Sequence, residues 1–274
     1  MNKRILTAII SAAILFVACT RNAITGKSQF TALVSESQMQ DMAKTQYKQF
    51  LTESKVVTSV SNKDAEMVRR VGSRIATAIT KYYTEQGLGK ELDGYQWEYN
   101  LVDSKEVNAW CMPGGKIVVY TGLLPITQNE AALAVVLGHE IAHAVAKHGQ
   151  ARMNEGLLQQ LGGAALSVAV ASKPAETQNL FLNAYGVGTQ VGIALPHSRA
   201  QESEADLYGL RFAALAGYNV REAIPLWQRM KAASSGGSKP PEFLSTHPGE
   251  DKRIADLNAI MDETIRDYYR PINK

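Results

Sequence analysis

The sequence predicts an α+β fold, mainly helical, with a small β-sheet beside an apolar helix that carries His139-Glu140-Ile141-Ala142-His143. Three observations predict it. Apolar residues recur at helical spacing in the amino-terminal half, and helix-forming runs fill the carboxyl-terminal half. Only residues 95–120 show strand alternation around a Pro-Gly-Gly turn. Residues 130–146 are apolar almost throughout, as a buried central helix should be.

The chain opens with a basic pair, Lys3 and Arg4, an apolar run over residues 5–17, and then Ala18-Cys19. That run falls short of the about 20 residues a membrane span needs. A small residue directly before Cys reads as a bacterial lipoprotein signal, cut before Cys19, whose thiol is then acylated. Phe16 departs from the usual pattern three positions before the Cys, and an uncleaved signal anchor is the alternative. Residues 1–18 are therefore read as a signal peptide and residues 19–274 as one domain, long enough to bury a substantial core. The whole chain carries 29 basic and 26 acidic residues; without residues 1–18 it carries 27 against 26. A charge near +1, with no basic stripe interleaved with aromatics, argues against a nucleic-acid partner. With Cys19 acylated, Cys111 has no intramolecular disulfide partner; it reads as a strand residue beside the cleft.

Residues 35–51 read as an amphipathic helix, with Ser35 and Gln38 spaced for a capping box. Residues 62–86 read as a longer helix with Ala65, Val68, Gly72, Ile75, Ala76 and Ile79 on one stripe and Gly87 past its end. Tyr95, Trp97, Tyr99 and Leu101 alternate with polar residues, and residues 107–112 and 116–120 follow as strands around Pro113-Gly114-Gly115.

His139 and His143 lie four apart, so on a helix both imidazoles share a face and can reach one metal ion, with Glu140 beside it. This is the two-histidine core of zinc-dependent peptidases, with the Glu as general base. Two satisfied core histidines are the bland alternative. A catalytic zinc takes three protein ligands, and the best third is Glu202, on a helix that starts near Ser198 and ends at Gly217. Asp206, four residues on, shares its face and can accept the free N–H of a ligating histidine. Gly209 and Ala213 continue that stripe; Glu204 points elsewhere and is the weaker ligand. A merely solvated acidic face is the alternative.

His139-Glu140-x-x-His143, followed by Arg199-x-x-Glu202-x-Glu204-Ala205-Asp206-x-x-Gly209, resembles the gluzincin family that contains HtpX and the CAAX prenyl protease. It is most similar to the small periplasmic lipoprotein branch, without a helical-repeat domain. The similarity extends to residues 108–117, to Thr121-Gly122-Leu123-Leu124, to residues 143–149 and to Ser245-Thr246-His247-Pro248 with Arg253 after it. It covers roughly residues 20 to 265. The resemblance implies a zincin-like metallopeptidase domain with one zinc ion per chain, bound by His139, His143 and Glu202, and Glu140 as the catalytic residue. Ile24-Thr25-Gly26 fits the stretch that often follows the acylated Cys in such lipoproteins.

A donor must also face the developing oxyanion, and His247 and Arg199 are candidates. In related lipoprotein peptidases a His in the matching block can fill the open zinc position, so the resemblance also implies a self-inhibiting switch at His247. Asn108, Ala109 and Trp110 are the expected edge strand for an extended substrate, with an ordinary hairpin strand as the alternative. His148 and His197 read as structural or surface residues. Between His143 and Glu202, the runs 157–171 and 181–195 read as a pair of helices over the cleft rather than a membrane hairpin. Two function classes follow. One is a lipid-anchored zinc metalloendopeptidase of the bacterial periplasm, with the outer membrane preferred over the inner because Thr20-Arg21 lacks a retaining Asp. Its substrates would be unfolded or misassembled envelope proteins, and envelope assembly machinery its partner. The other is a latent protease-fold module with a binding or chaperone-like role.

Overall fold

The computed structural model describes residues 19–160, 166–187, 198–235, 241–247 and 250–271. The expected signal peptide and His197 lie outside the described residues. An amino-terminal hairpin pairs β1 (Cys19–Arg21) antiparallel with β2 (Ser28–Phe30). Ser35 and Gln38 form the expected capping box, which opens α1 (Glu36–Glu53). Asn62 accepts the Ala65 N–H at 2.9 Å and opens α2 (Lys63–Glu85), whose predicted stripe is buried.

The sheet has the order β3-β5-β4. β3 (Glu98–Val102) runs parallel to β5 (Lys116–Tyr120), and β4 (Ala109–Met112) pairs with β5 antiparallel. Both outer strands start later than their alternation suggests. Gln96 and Glu98 already donate to Gly114 and Gly115 carbonyls at 2.9 Å, but Tyr95 and Trp97 precede the strand itself. Before β4, the Val107 carbonyl accepts from the Phe243 N–H at 3.1 Å instead of joining the ladder. The sheet is covered on both faces. Leu101, Ala109, Cys111, Ile117 and Val119 enter one core, and Val102, Trp110, Met112, Val118 and Tyr120 enter another.

The first core holds α3 (Glu130–Val145), capped by Asn129 and buried along its whole length after the first turn. Lys147, with φ 61°, ends it and turns the chain into α4 (His148–Gln160). α5 (Leu166–Ser172) and α6 (Pro174–Ala184) follow. Of the two runs expected to form helices over the cleft, residues 161–165 and 188–195 lie outside the described residues, and the described parts fall in α4, α5 and α6 and the turn after it. Met153, Leu157, Leu166, Leu180 and Phe181 bury against Trp110 and Tyr47 in the second core, on the sheet face away from α3. Among the described residues, no helix is long and apolar enough to cross a membrane. The chain continues through α7 (Arg199–Leu215), α8 (Ala223–Ser235), α9 (Glu242–Thr246) and α10 (Glu250–Tyr268).

Candidate metal centre

Two glycines set the site. A Cβ at Gly138 would lie 2.4 Å from the Gly209 carbonyl oxygen, and one at Gly209 would lie 2.6 Å from the His139 nitrogen. Neither position has room for a side chain, so α3 and α7 meet backbone to backbone and Glu202 faces the two histidines. Ser198 and Gln201 form a second capping box that starts α7, and Gly217, with φ 80°, follows its end as predicted.

Four donors converge. His139 Nε2 lies 3.1 Å from His143 Nε2, 3.2 Å from His247 Nδ1 and 3.4 Å from Glu202 Oε2. Glu202 Oε1 lies 3.3 Å from His143 Nε2 and 3.0 Å from His247 Nδ1. A tetrahedral zinc with ligand bonds of about 2.0–2.1 Å sets its donors about 3.3 Å apart. The spacing and the nitrogen-rich donor set therefore fit zinc, and all four residues are buried. Glu140 Oε1 is buried with no hydrogen-bond partner among the described residues, and His247 Nε2 stands 3.5 Å from it.

The electrostatics favour a cation. Burial would lower the His139 imidazole, but its bonds with Asp206 and Glu202 outweigh burial and push it up to about 9. Burial would raise Glu202, yet His247, His139 and His143 hold it well below the ordinary carboxylate range. Burial raises Glu140, with His247 and His139 partly offsetting it, a shift that suits a general base. Burial likewise pushes the Cys111 thiol well up, which keeps it inert beside the cleft.

Each ligand histidine has a support behind it. Asp206 Oδ1 lies 2.9 Å from His139 Nδ1, as the i,i+4 spacing predicts. Arg253, buried under the Trp227 ring at 4.0 Å, donates to Asp206 Oδ2 at 2.6 Å and also bonds Glu202 Oε2. Behind His143, Nδ1 lies 2.8 Å from His148 Nδ1, and His148 Nε2 lies 3.3 Å from Glu204 Oε2. Lys27 donates to the same Glu204 oxygen at 2.9 Å. Burial alone would raise Glu204, but bonds with His148, Lys27 and Thr25 bring it down to about 2.

A family model described as Peptidase family M48 matches residues 62–261, nearly three quarters of the chain and all of these residues except Lys27 and Thr25. The chain belongs to peptidase family M48. Within M48, it is 37% identical over 180 residues to the mitochondrial metalloendopeptidase OMA1 of Arabidopsis thaliana, covering 65% of this chain and 34% of the relative. It is 33% identical over 183 residues to the OMA1 of Saccharomyces cerevisiae, covering 65% and 50%. To the beta-barrel assembly-enhancing protease of Yersinia pestis it is 31% identical over 165 residues, covering 58% and 33%. The chain thus spans a third to a half of the length of these relatives. They include mitochondrial proteins, so they do not single out the periplasmic lipoprotein branch.

The structure brings His139, Glu140, His143, Glu202, Asp206 and His247 together and leaves Arg199 out. Arg199 is exposed in the first turn of α7, with no bond to the cluster among the described residues. The buried guanidinium that bonds Glu202 and Asp206 is that of Arg253. His148, expected as a structural or surface residue and not a ligand, takes the structural place: it is fully buried against His143 and outside the donor cluster. The signal for it was the family's block at residues 143–149; no glycine marks the turn at Lys147 that carries His148 back.

Proposed function

We propose that this M48 chain is a zinc-dependent metalloendopeptidase, and the observation that carries the reading is the four-donor cluster with Glu140 beside it. Zinc, when bound, supplies Lewis-acid polarisation of a scissile carbonyl and acidifies water. Glu140 takes the proton of the attacking water and delivers it to the leaving amine. We assign the oxyanion donor to His247, whose Nε2 lies 3.5 Å from Glu140 Oε1, acting after His247 leaves the cluster.

Substrate lies along β4, the outer strand of the sheet. Tyr120 donates to the Asn108 carbonyl at 3.1 Å, so the alternation aims the peptide groups of Asn108 and Trp110 at β5 and those of Ala109 and Cys111 outward. Asn108 Oδ1 takes the Ala109 N–H at 2.9 Å, which leaves the Ala109 carbonyl and the Cys111 peptide groups for an extended peptide.

The resting state is self-inhibited in this reading. Residues 241–247 cover two places at once: His247 fills the fourth corner of the cluster, and Phe243, stacked on His247 at 4.5 Å, ties its N–H to Val107 at the start of the edge. Displacing this one segment would free both. The filled corner is also what favours the second reading, a latent binding or chaperone-like module.

For the setting, we propose a lipid anchor on Cys19 in the bacterial periplasm, on the outer rather than the inner membrane. Substrates would be unfolded or misassembled envelope proteins, and the name of the Yersinia pestis relative supports a link to envelope assembly machinery. Casein cleavage by the zinc-loaded chain tests the reading, beside Glu140→Gln and His247→Ala. Loss in Glu140→Gln with His247→Ala equal or faster is expected. No cleavage by any variant despite one bound zinc would instead favour the binding module.

A further inference from the structure

We propose that His148 and Glu204 form a relay that orients His143 toward the metal position, with Lys27 of the amino-terminal hairpin anchoring its far end. The inference rests on the metal-centre reading and assigns positioning roles to three residues outside the donor set.

With Glu204 ionised and His148 neutral, hydrogen-bond chemistry gives the relay one order. An ionised carboxylate accepts and never donates, so His148 Nε2, 3.3 Å from Glu204 Oε2, must carry a hydrogen. The other nitrogen of a neutral His148 ring then keeps its lone pair. That nitrogen, Nδ1, lies 2.8 Å from His143 Nδ1, so His143 Nδ1 is the donor. Its Nε2 is left with the lone pair, facing His139 Nε2 and Glu202 Oε1 at 3.1 and 3.3 Å. One carboxylate thereby fixes, through one intervening imidazole, the tautomer and the ring orientation of a ligand, which is how outer partners hold metal-binding histidines.

The hairpin contributes more than Lys27. Gln29 donates to the Ala146 carbonyl at 2.7 Å and Asn22 to the Val145 carbonyl at 3.5 Å. These are carbonyls at the end of α3 that lack a helical partner. Tyr208 of α7 donates to the Ile24 carbonyl at 3.2 Å, which ties the hairpin to the helix that carries Glu204. The segment beside Cys19 therefore braces the turn that brings His148 to His143.

Zinc affinity of the full-length protein, measured by competition with a chromophoric chelator, tests the relay. His148→Leu is expected to hold zinc about 10- to 100-fold more weakly than wild type. His148→Asn places an accepting oxygen near the position of the lost Nδ1 and is expected to stay within about threefold. A purely structural role would make the two variants fall together; that result, or unchanged affinity in His148→Leu, would overturn the relay. Should His148→Leu fail to fold, Glu204→Ala is read the same way, with weaker zinc expected and unchanged affinity contradicting the proposal. A wild-type protein that binds no zinc would instead overturn the metal-centre reading itself.

Discussion

The two zinc-facing histidines of α3 are supported in different ways. His139 leans on Asp206 directly, and Asp206 is held by Arg253; both supports are buried, and Arg253 also bonds Glu202. His143 leans on Glu204 only through His148, and the line ends at Lys27, whose side chain is 55% exposed. The first support is short, dry and shared with a ligand. The second is longer and reaches water through the amino-terminal hairpin. The difference teaches that one half of the centre is fixed by its core, whereas the other depends on a peripheral segment docking correctly.

The largest effect should come from breaking the dry side. Arg253→Met leaves the buried Glu202 and Asp206 carboxylates without their cation and should cost about 3–5 kcal/mol of stability in the metal-free protein, read from chemical denaturation. Next, Asp206→Asn keeps the shape but weakens the acceptor behind His139, and zinc affinity should fall about 10- to 100-fold with little change in the fold. Equal affinity there would put the two supports on a par and dissolve the comparison. The smallest effect belongs to Lys27→Met. A half-exposed ion pair contributes about 0–1 kcal/mol, so stability should shift within that range and the shift should shrink as salt is raised. A loss as large as that of Arg253→Met would show that the hairpin, and not the core, holds the site.

The same contrast explains what the sequence made legible. Caps at Ser35, Asn62 and Ser198 are local, so the helices they start could be read from a few residues each. Asp206 was legible because it sits one helical turn from Glu202, and the Gly209 stripe because close helix contact needs small residues. Arg253 was not assigned a role, since its bonds to Asp206 and Glu202 span 47 and 51 residues. The expected oxyanion role for Arg199 does not fit its exposed place at the start of α7. His148 is structural as expected, but its contact with His143 is not legible, because a non-glycine residue, Lys147, makes the left-handed turn on which that placement depends. The arrangement of the run after residue 157 is not legible for a related reason: its described apolar residues, Leu157, Leu166 and Phe181 among them, pack with Trp110 and Tyr47, partners far away in sequence.

The most direct test pairs zinc content with cleavage in wild type, Glu140→Gln and Glu202→Gln, using native mass spectrometry and casein as substrate. One zinc in wild type and in Glu140→Gln, loss of zinc in Glu202→Gln, and cleavage by wild type alone are the predicted results. Undiminished cleavage by Glu140→Gln, or a wild-type chain that holds no zinc, would contradict the metallopeptidase account.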